Sequence, residues 1–336
     1  MGAADGLGWG RVRAGRAAVP GSGRVSSERR WVAVPPAFGS VVMATGIVSI
    51  ALFAAGFRTL SALFMWLDVG VWVLLAAAFG TRALGDPQGW RAAAATPPAL
   101  TAIAATTVLG TRLVLFGWTG TACVLLALAV VVWPVLLVDV VTHMGHRMPG
   151  AVFLVCVATQ GLGVLAGQLA LVGEGDWLAW AALVVYGLGL ALYALACTRF
   201  DFRQVLTGAG DHWVAGGALA ISAVAGSKLV ASPVWTGLAH DTLRTLTLAV
   251  LGLALAWYAV LAVGELVRPR PRYDTRRWAT VFPLGMTAAA CLLLSTAAHV
   301  SWLDPLGRVL LWIAVAAWTL TGIGLLRSLA GRGALG

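Results

Sequence analysis

The sequence predicts an all-α integral membrane protein of ten transmembrane helices. Three observations lead there. Of the 336 residues, 60% are hydrophobic and 11% charged, far from the balance of a water-soluble domain. The apolar residues gather into ten runs, each close to the about 20 residues that a helix needs to cross the hydrocarbon core. The runs also alternate in kind. Odd-numbered runs carry glycines and hydroxyls in their middles, and even-numbered runs are mostly Leu, Val, Ala and Trp there. A lipid-facing helix has no use for small polar residues at mid-span unless that face is buried or lines a cavity. The alternation therefore predicts five helices around a polar path and five outside them, facing lipid.

The spans fall near 37–56, 62–81, 97–117, 121–142, 151–172, 177–198, 213–231, 243–264, 278–298 and 306–326. The first carries Thr45, Gly46 and Ser49, with the two hydroxyls four apart and so on one face. The third carries Thr106, Thr107, Gly110 and Thr111. The fifth stacks Thr159, Gly163 and Gly167 on one stripe beside Gln160 and Gln168. The seventh aligns Ala218, Ser222 and Gly226. The ninth has Phe282, Pro283, Gly285, Met286 and Thr287. Each stripe alone fits tight helix packing as well as a path wall. Five of them on alternate spans favour the wall, so Thr45, Gly46, Ser49, Thr106, Gly110, Thr159, Gly163, Ser222, Gly226 and Met286 are expected to line it. Pro283 removes the hydrogen bond to the Ala279 carbonyl and permits a kink. Phe282, the one large aromatic at the middle of an odd span, is on these residues alone either ordinary packing or a ring that closes a narrow path by sterics and dewetting.

Charge sets the orientation. The net charge is +10, from 22 Arg and the single Lys228. By alternation, eighteen basic residues fall on the side of the N-terminus, among them Arg11, Arg30, Arg147 and Arg268, and five on the other: Arg58, Arg112, Lys228, Arg244 and Arg308. The positive-inside rule puts both termini in the cytoplasm. The excess of positive charge is thus a topology signal and not a nucleic-acid signal. Residues 1–34 are rich in Gly, Ala, Ser and Arg and read as a disordered basic tail, residues 35–327 as one transmembrane domain, and 328–336 as a short cytoplasmic tail. The apolar run that follows residue 34 is too long for a signal peptide.

Ionisable groups within the spans are candidates for function. Arg112 and Lys228, in the outer parts of spans 3 and 7, either draw anions to the mouth of a lumen or snorkel to the headgroups. Asp68, in span 2, is a proton or cation site or a helix–helix hydrogen-bonding group. Asp139, His143 and His146 share a face at the inner end of span 4, where solvation accounts for them better than a metal or a proton relay. Cys123, Cys156, Cys197 and Cys291 lack metal-ligand spacing and read as small buried residues. No metal and no cofactor is expected. Without His-Glu-x-x-His, Gly-x-Ser-x-Gly or paired mid-span aspartates, the chain does not read as an enzyme.

Three motifs resemble one family. Trp278-Ala-Thr-Val-Phe-Pro-Leu284, Met43-Ala-Thr-Gly-Ile-Val-Ser49 and Asp211-His-Trp-Val-Ala-Gly-Gly-Ala-Leu-Ala-Ile221 are similar to spans 9, 1 and 7 of the tellurite-resistance/dicarboxylate transporter family. That family includes bacterial tellurite-resistance proteins, fungal malate permeases and plant slow anion channels. The similarity runs from about Pro35 to about Arg327, with Ala44 where the family usually has Gly. It implies ten helices as five helical hairpins around a central pore, and a homotrimer with one pore per subunit in a bacterial-type inner membrane. It implies passage of small anions, such as malate or an inorganic anion, past Phe282 as the occluding ring. The alternative is a proton-coupled secondary transporter or efflux permease for dicarboxylate, sulfite or tellurite, with coupling at Asp68 or at the Asp139–His146 face.

Overall fold

The computed structural model describes residues 39–270 and 273–333; the tail assigned to residues 1–34 lies outside them. The described chain is helical throughout. Its elements are α1 (Gly39–Ala54), α2 (Arg58–Gly85), the short α3 (Pro87–Ala94), α4 (Thr101–Phe116), α5 (Thr119–Thr142), α6 (Leu154–Leu171) and α7 (Trp177–Arg199). After the single-turn α8 (Gln204–Thr207) come α9 (Val214–Val230), α10 (Gly237–Val267), α11 (Trp278–Ala297) and α12 (Leu303–Gly333). Four of them, α4, α6, α9 and α11, start from a 3₁₀ turn. Gly56 and Gly117 hold φ values of 91° and 96°, a left-handed backbone that glycine adopts without strain. They allow the tight reversals from α1 to α2 and from α4 to α5.

Among the described residues nine helical segments are long and apolar enough to cross a membrane, and α1 is a shorter apolar helix. They sort into two layers. The most apolar stretches of the segments holding α4, α6, α9 and α11 are 78–100% buried, whereas those of α2, α5, α7, α10 and α12 are only 17–33% buried. In α1, Gly39 to Leu52 are buried without a break. The buried helices touch in a closed cycle, α1 to α4 to α6 to α9 to α11 and back to α1. The other five pack outside this cycle and turn residues such as Leu63, Val131, Val184, Leu253 and Leu320 outward. An apolar exterior of this kind needs lipid as its solvent.

The helices meet through small residues, within the inner layer and between the two layers. A Cβ on Gly217 would stand 2.7 Å from Cγ of Pro283, and one on Gly226 2.4 Å from Oγ1 of Thr247. Glycine at these places lets α9 approach α11 and α10 closely. Hydroxyls add a second kind of contact. Trp318 in α12 donates its indole N–H to Thr45 at 3.0 Å, Trp72 in α2 to Thr106 at 3.0 Å, and Trp133 in α5 to Thr159 at 3.1 Å. Each bond ties an outer helix to an inner one. Each threonine also donates to a carbonyl of its own helix four residues back. None of these three hydroxyls is then left unmatched in a place without water.

Candidate functional site

The five inner helices enclose two spaces on a common line. The wider one, about 400 Å³, collects their N-terminal ends and is lined by Ser40, Met43, Thr101, Leu154, Asp211, Val214, Arg276, Ala279 and Phe282 among others. All five inner helices therefore run in the same direction. Arg276 lies at this end and holds Asp274 through two contacts of 3.2 and 2.9 Å. That pairing keeps the Asp274 carboxyl below the usual carboxylate range. The narrower space lies further along. It is walled by Ile47 and Ile50 of α1, Thr107, Val108 and Thr111 of α4, Gly161 and Val164 of α6, Ile221, Val224 and Lys228 of α9, and Met286 and Leu293 of α11. Only about 10 Å³ remains between these side chains, room for about one water molecule.

Phe282 and Met286 stand one turn apart on α11. Phe282 faces the wide space and Met286 the narrow one, so α11 carries the two side chains from one space to the other within a turn. It is 1% exposed. The proline beside it is seated against Gly217, and the Thr287 hydroxyl donates to the Pro283 carbonyl at 2.9 Å. These contacts fix the helix at the turn that carries the ring.

Lys228 and Met286 are on the wall of the narrow space, and Lys228 has no acidic partner among the described residues. The hydroxyls expected beside them face elsewhere. Thr45, Thr106 and Thr159 accept their indole bonds from the outer layer, and Ser222 bonds the Ala218 carbonyl at 2.7 Å and approaches the thiol of Cys156. The glycines pack on neighbours: Gly46 on Asp68 and Val108, Gly110 on Leu165, Gly226 on Thr247. Gly163 lies within 3.8 Å of Ala225 by the same measure. The wall residues absent from the sequence expectation are mostly aliphatic, Ile47, Ile50, Val164, Ile221, Val224 and Leu293. Nothing in their chemistry separates them from core residues. Thr107 and Thr111 carried the available signal, since they extend the span-3 hydroxyl stripe on its other edge.

Arg112 is 2% exposed and turns into the seam between α1 and α2. Its Nε donates to Ser49 Oγ at 2.9 Å and to Ser61 Oγ at 3.1 Å. The two serines donate to each other's backbone carbonyls at 2.7 Å, and the guanidinium lies 4.9 Å from the centroid of the Phe53 ring. Its Nη1 is buried without a hydrogen-bond partner. Asp68 lies in the same seam, 0% exposed, with both carboxyl oxygens unpartnered. The Asp139–His143 pair is 3.3 Å apart and largely exposed. Among the described residues no three His, Cys, Asp or Glu side chains are placed to hold a metal ion.

Two curated relatives are uncharacterised membrane proteins of Mycobacterium tuberculosis strains CDC 1551 and H37Rv. Each is 31% identical over 132 residues, which is 35% of this chain and 64% of the relative; the chain thus spans just under two thirds of the length of either. The wider match is to a family model described as voltage-dependent anion channel, and it covers residues 33–326, from before α1 to the last turns of α12. With its motifs, its two helix layers and its matched length taken together, the chain belongs to the voltage-dependent anion channel family.

Proposed function

We propose that the protein passes small anions across a membrane along the axis of its inner helices, and that ten helices form five hairpins around that path. The observation that carries this reading is Lys228, a cation without an acidic partner on the wall of a space enclosed by all five inner helices. An unpaired ammonium in a low-dielectric enclosure attracts an anion strongly. The Thr107 and Thr111 side chains stand on the same wall. The aliphatic remainder makes the passage narrow and dry, and such a constriction stops ions by dewetting until it widens. Phe282 is the gate in this reading, because its ring faces the wide space one turn from Met286 on the narrow one. Substrates are C4-dicarboxylates such as malate or an inorganic anion, and the assembly is a homotrimer in a bacterial-type inner membrane. Family membership supports both.

Reconstitution in liposomes with a panel of anions tests the reading. Wild type should carry at least one small anion and exclude cations. Phe282→Ala should raise resting flux at matched folded protein. If Phe282 served packing alone, its loss would cost about 3–5 kcal/mol of stability with no gain of flux. Unchanged or lower flux in a stable Phe282→Ala protein removes the ring from the gate.

A further inference from the structure

The seam between α1, α2 and α4 holds two charged side chains, and the anion path uses neither. Asp68 of α2 seats its carboxyl in a notch that Gly46 leaves in α1: a Cβ on Gly46 would stand 2.6 Å from Asp68 Oδ2 and 2.7 Å from Val108 Cγ1. Val108 precedes Arg112 by one turn of α4, and Ser61, a ligand of Arg112, precedes Asp68 by two turns of α2. The carboxyl and the guanidinium therefore lie in one seam, separated by roughly one to two helical turns, about 5–11 Å. Each has unpartnered polar atoms in a fully buried place: both carboxyl oxygens on one side, Nη1 on the other. An ionised carboxylate there, without a hydrogen bond or a counter-ion in contact, would be far costlier than the neutral acid.

We propose that Asp68 is a proton-binding site that controls conduction. The carboxyl holds its proton in the arrangement seen here. When the proton leaves to water, the carboxylate draws the free Nη1 of Arg112 toward it. Arg112 then gives up Ser49 and Ser61, the two residues through which it braces α1 and α2. The α1 residues beside this brace, Ile47 and Ile50, and the α4 residues Thr107, Val108 and Thr111 all wall the narrow space. Loss of the brace lets that wall part. The inference rests on the anion-path reading and adds proton control to it.

One further cation stands at the Arg112 end of the seam: Arg58 of α2, whose guanidinium lies 5.6 Å from the centroid of the same Phe53 ring. α1 has no charged group among its described residues. α3 brings Arg91, and α5 brings Asp139 near its end. α12 brings Arg308, which is held by Asp304 and the Ala55 carbonyl, with Arg327 toward its far end. Within the seam the pair is Asp68 and Arg112.

The test uses Asp68→Asn, which copies the protonated carboxyl in shape and leaves the fold in place. Infrared spectra of purified protein at neutral pH should show a protonated-carboxyl stretch that this variant lacks. Anion flux through wild-type liposomes should rise with pH, at most about tenfold per unit for one titrating group. Flux through Asp68→Asn should stay low and flat within about twofold over the same range. Arg112→Lys should keep the alkaline rise, and Arg112→Met should lose it. A wild-type pH profile in Asp68→Asn or Arg112→Met, or a carboxyl band unchanged in Asp68→Asn, overturns the proposal. If wild type carries no anion at any pH, the anion-path reading and the control of conduction fail together, while the infrared band still decides whether Asp68 binds a proton.

Discussion

Lys228 and Arg112 both sit in the later turns of inner helices, α9 and α4, yet their surroundings assign them different work. Lys228 meets the narrow space with no acidic partner among the described residues, and Arg112 is spent on two serines and a phenylalanine ring. Replacing Lys228 with Met should lower anion flux about tenfold, the lower end of what electrostatic focusing supplies. That loss should deepen at low ionic strength, where the charge is least screened. Replacing Arg112 with Met keeps the apolar stem and removes charge-assisted hydrogen bonds. It should cost about 1.5–3 kcal/mol of stability, read as an earlier thermal transition in detergent. Equal thermal shifts for the two variants would erase the distinction.

At the level of helices, the alternation of inner and outer elements was legible in the sequence. Small and hydroxyl residues at mid-span mark helices that bury every face, and Leu-, Val- and Trp-rich middles mark those that meet lipid. The rotation of each inner helix about its axis was not legible. A helix such as α9, buried all round, has no polar stripe to point at the lumen, and its wall residues Ile221 and Val224 look like any core pair. The hydroxyls have a second physical use: Thr45, Thr106 and Thr159 sit opposite tryptophans whose indole N–H needs an acceptor where there is no water. This gives a prediction. Thr→Val at each of the three positions should lower stability by about 0.6–1.7 kcal/mol, the range measured for hydrogen bonds between membrane helices, and should leave anion selectivity unchanged. A change of selectivity with intact stability would return these hydroxyls to the path. Gly217→Ala tests the other contact, since its Cβ would press on Pro283 at 2.7 Å; overpacking at such a site should cost about 1–3 kcal/mol and disturb flux through its effect on the Phe282 turn.

For the whole molecule, the eighteen-to-five division of basic residues leads us to propose a direction in the membrane with both termini in the cytoplasm. The wide space and the paired Arg276 and Asp274 then face the cytoplasm, and the end that carries Ser301 faces outward. Cysteine placed at the exposed Ser301 should react with an impermeant reagent on intact cells, and cysteine at Arg268 should react only after lysis. The opposite pattern would invert the protein and move the gate to the other mouth.

The cycle of inner helices closes between α11 and α1, and the outer helix α12 also holds α1. Trp318 of α12 donates to Thr45 of α1, and Arg308 of α12 donates to the Ala55 carbonyl just past α1 at 3.0 Å. A ribosome delivers α1 long before α12. Throughout synthesis the first helix must wait in the bilayer without the partners that latch it. Assembly is thus a race between completion of the chain and the quality-control proteases that patrol the membrane. Chains interrupted anywhere before Leu303 should share one fate, rapid clearance, however many helices they had already inserted.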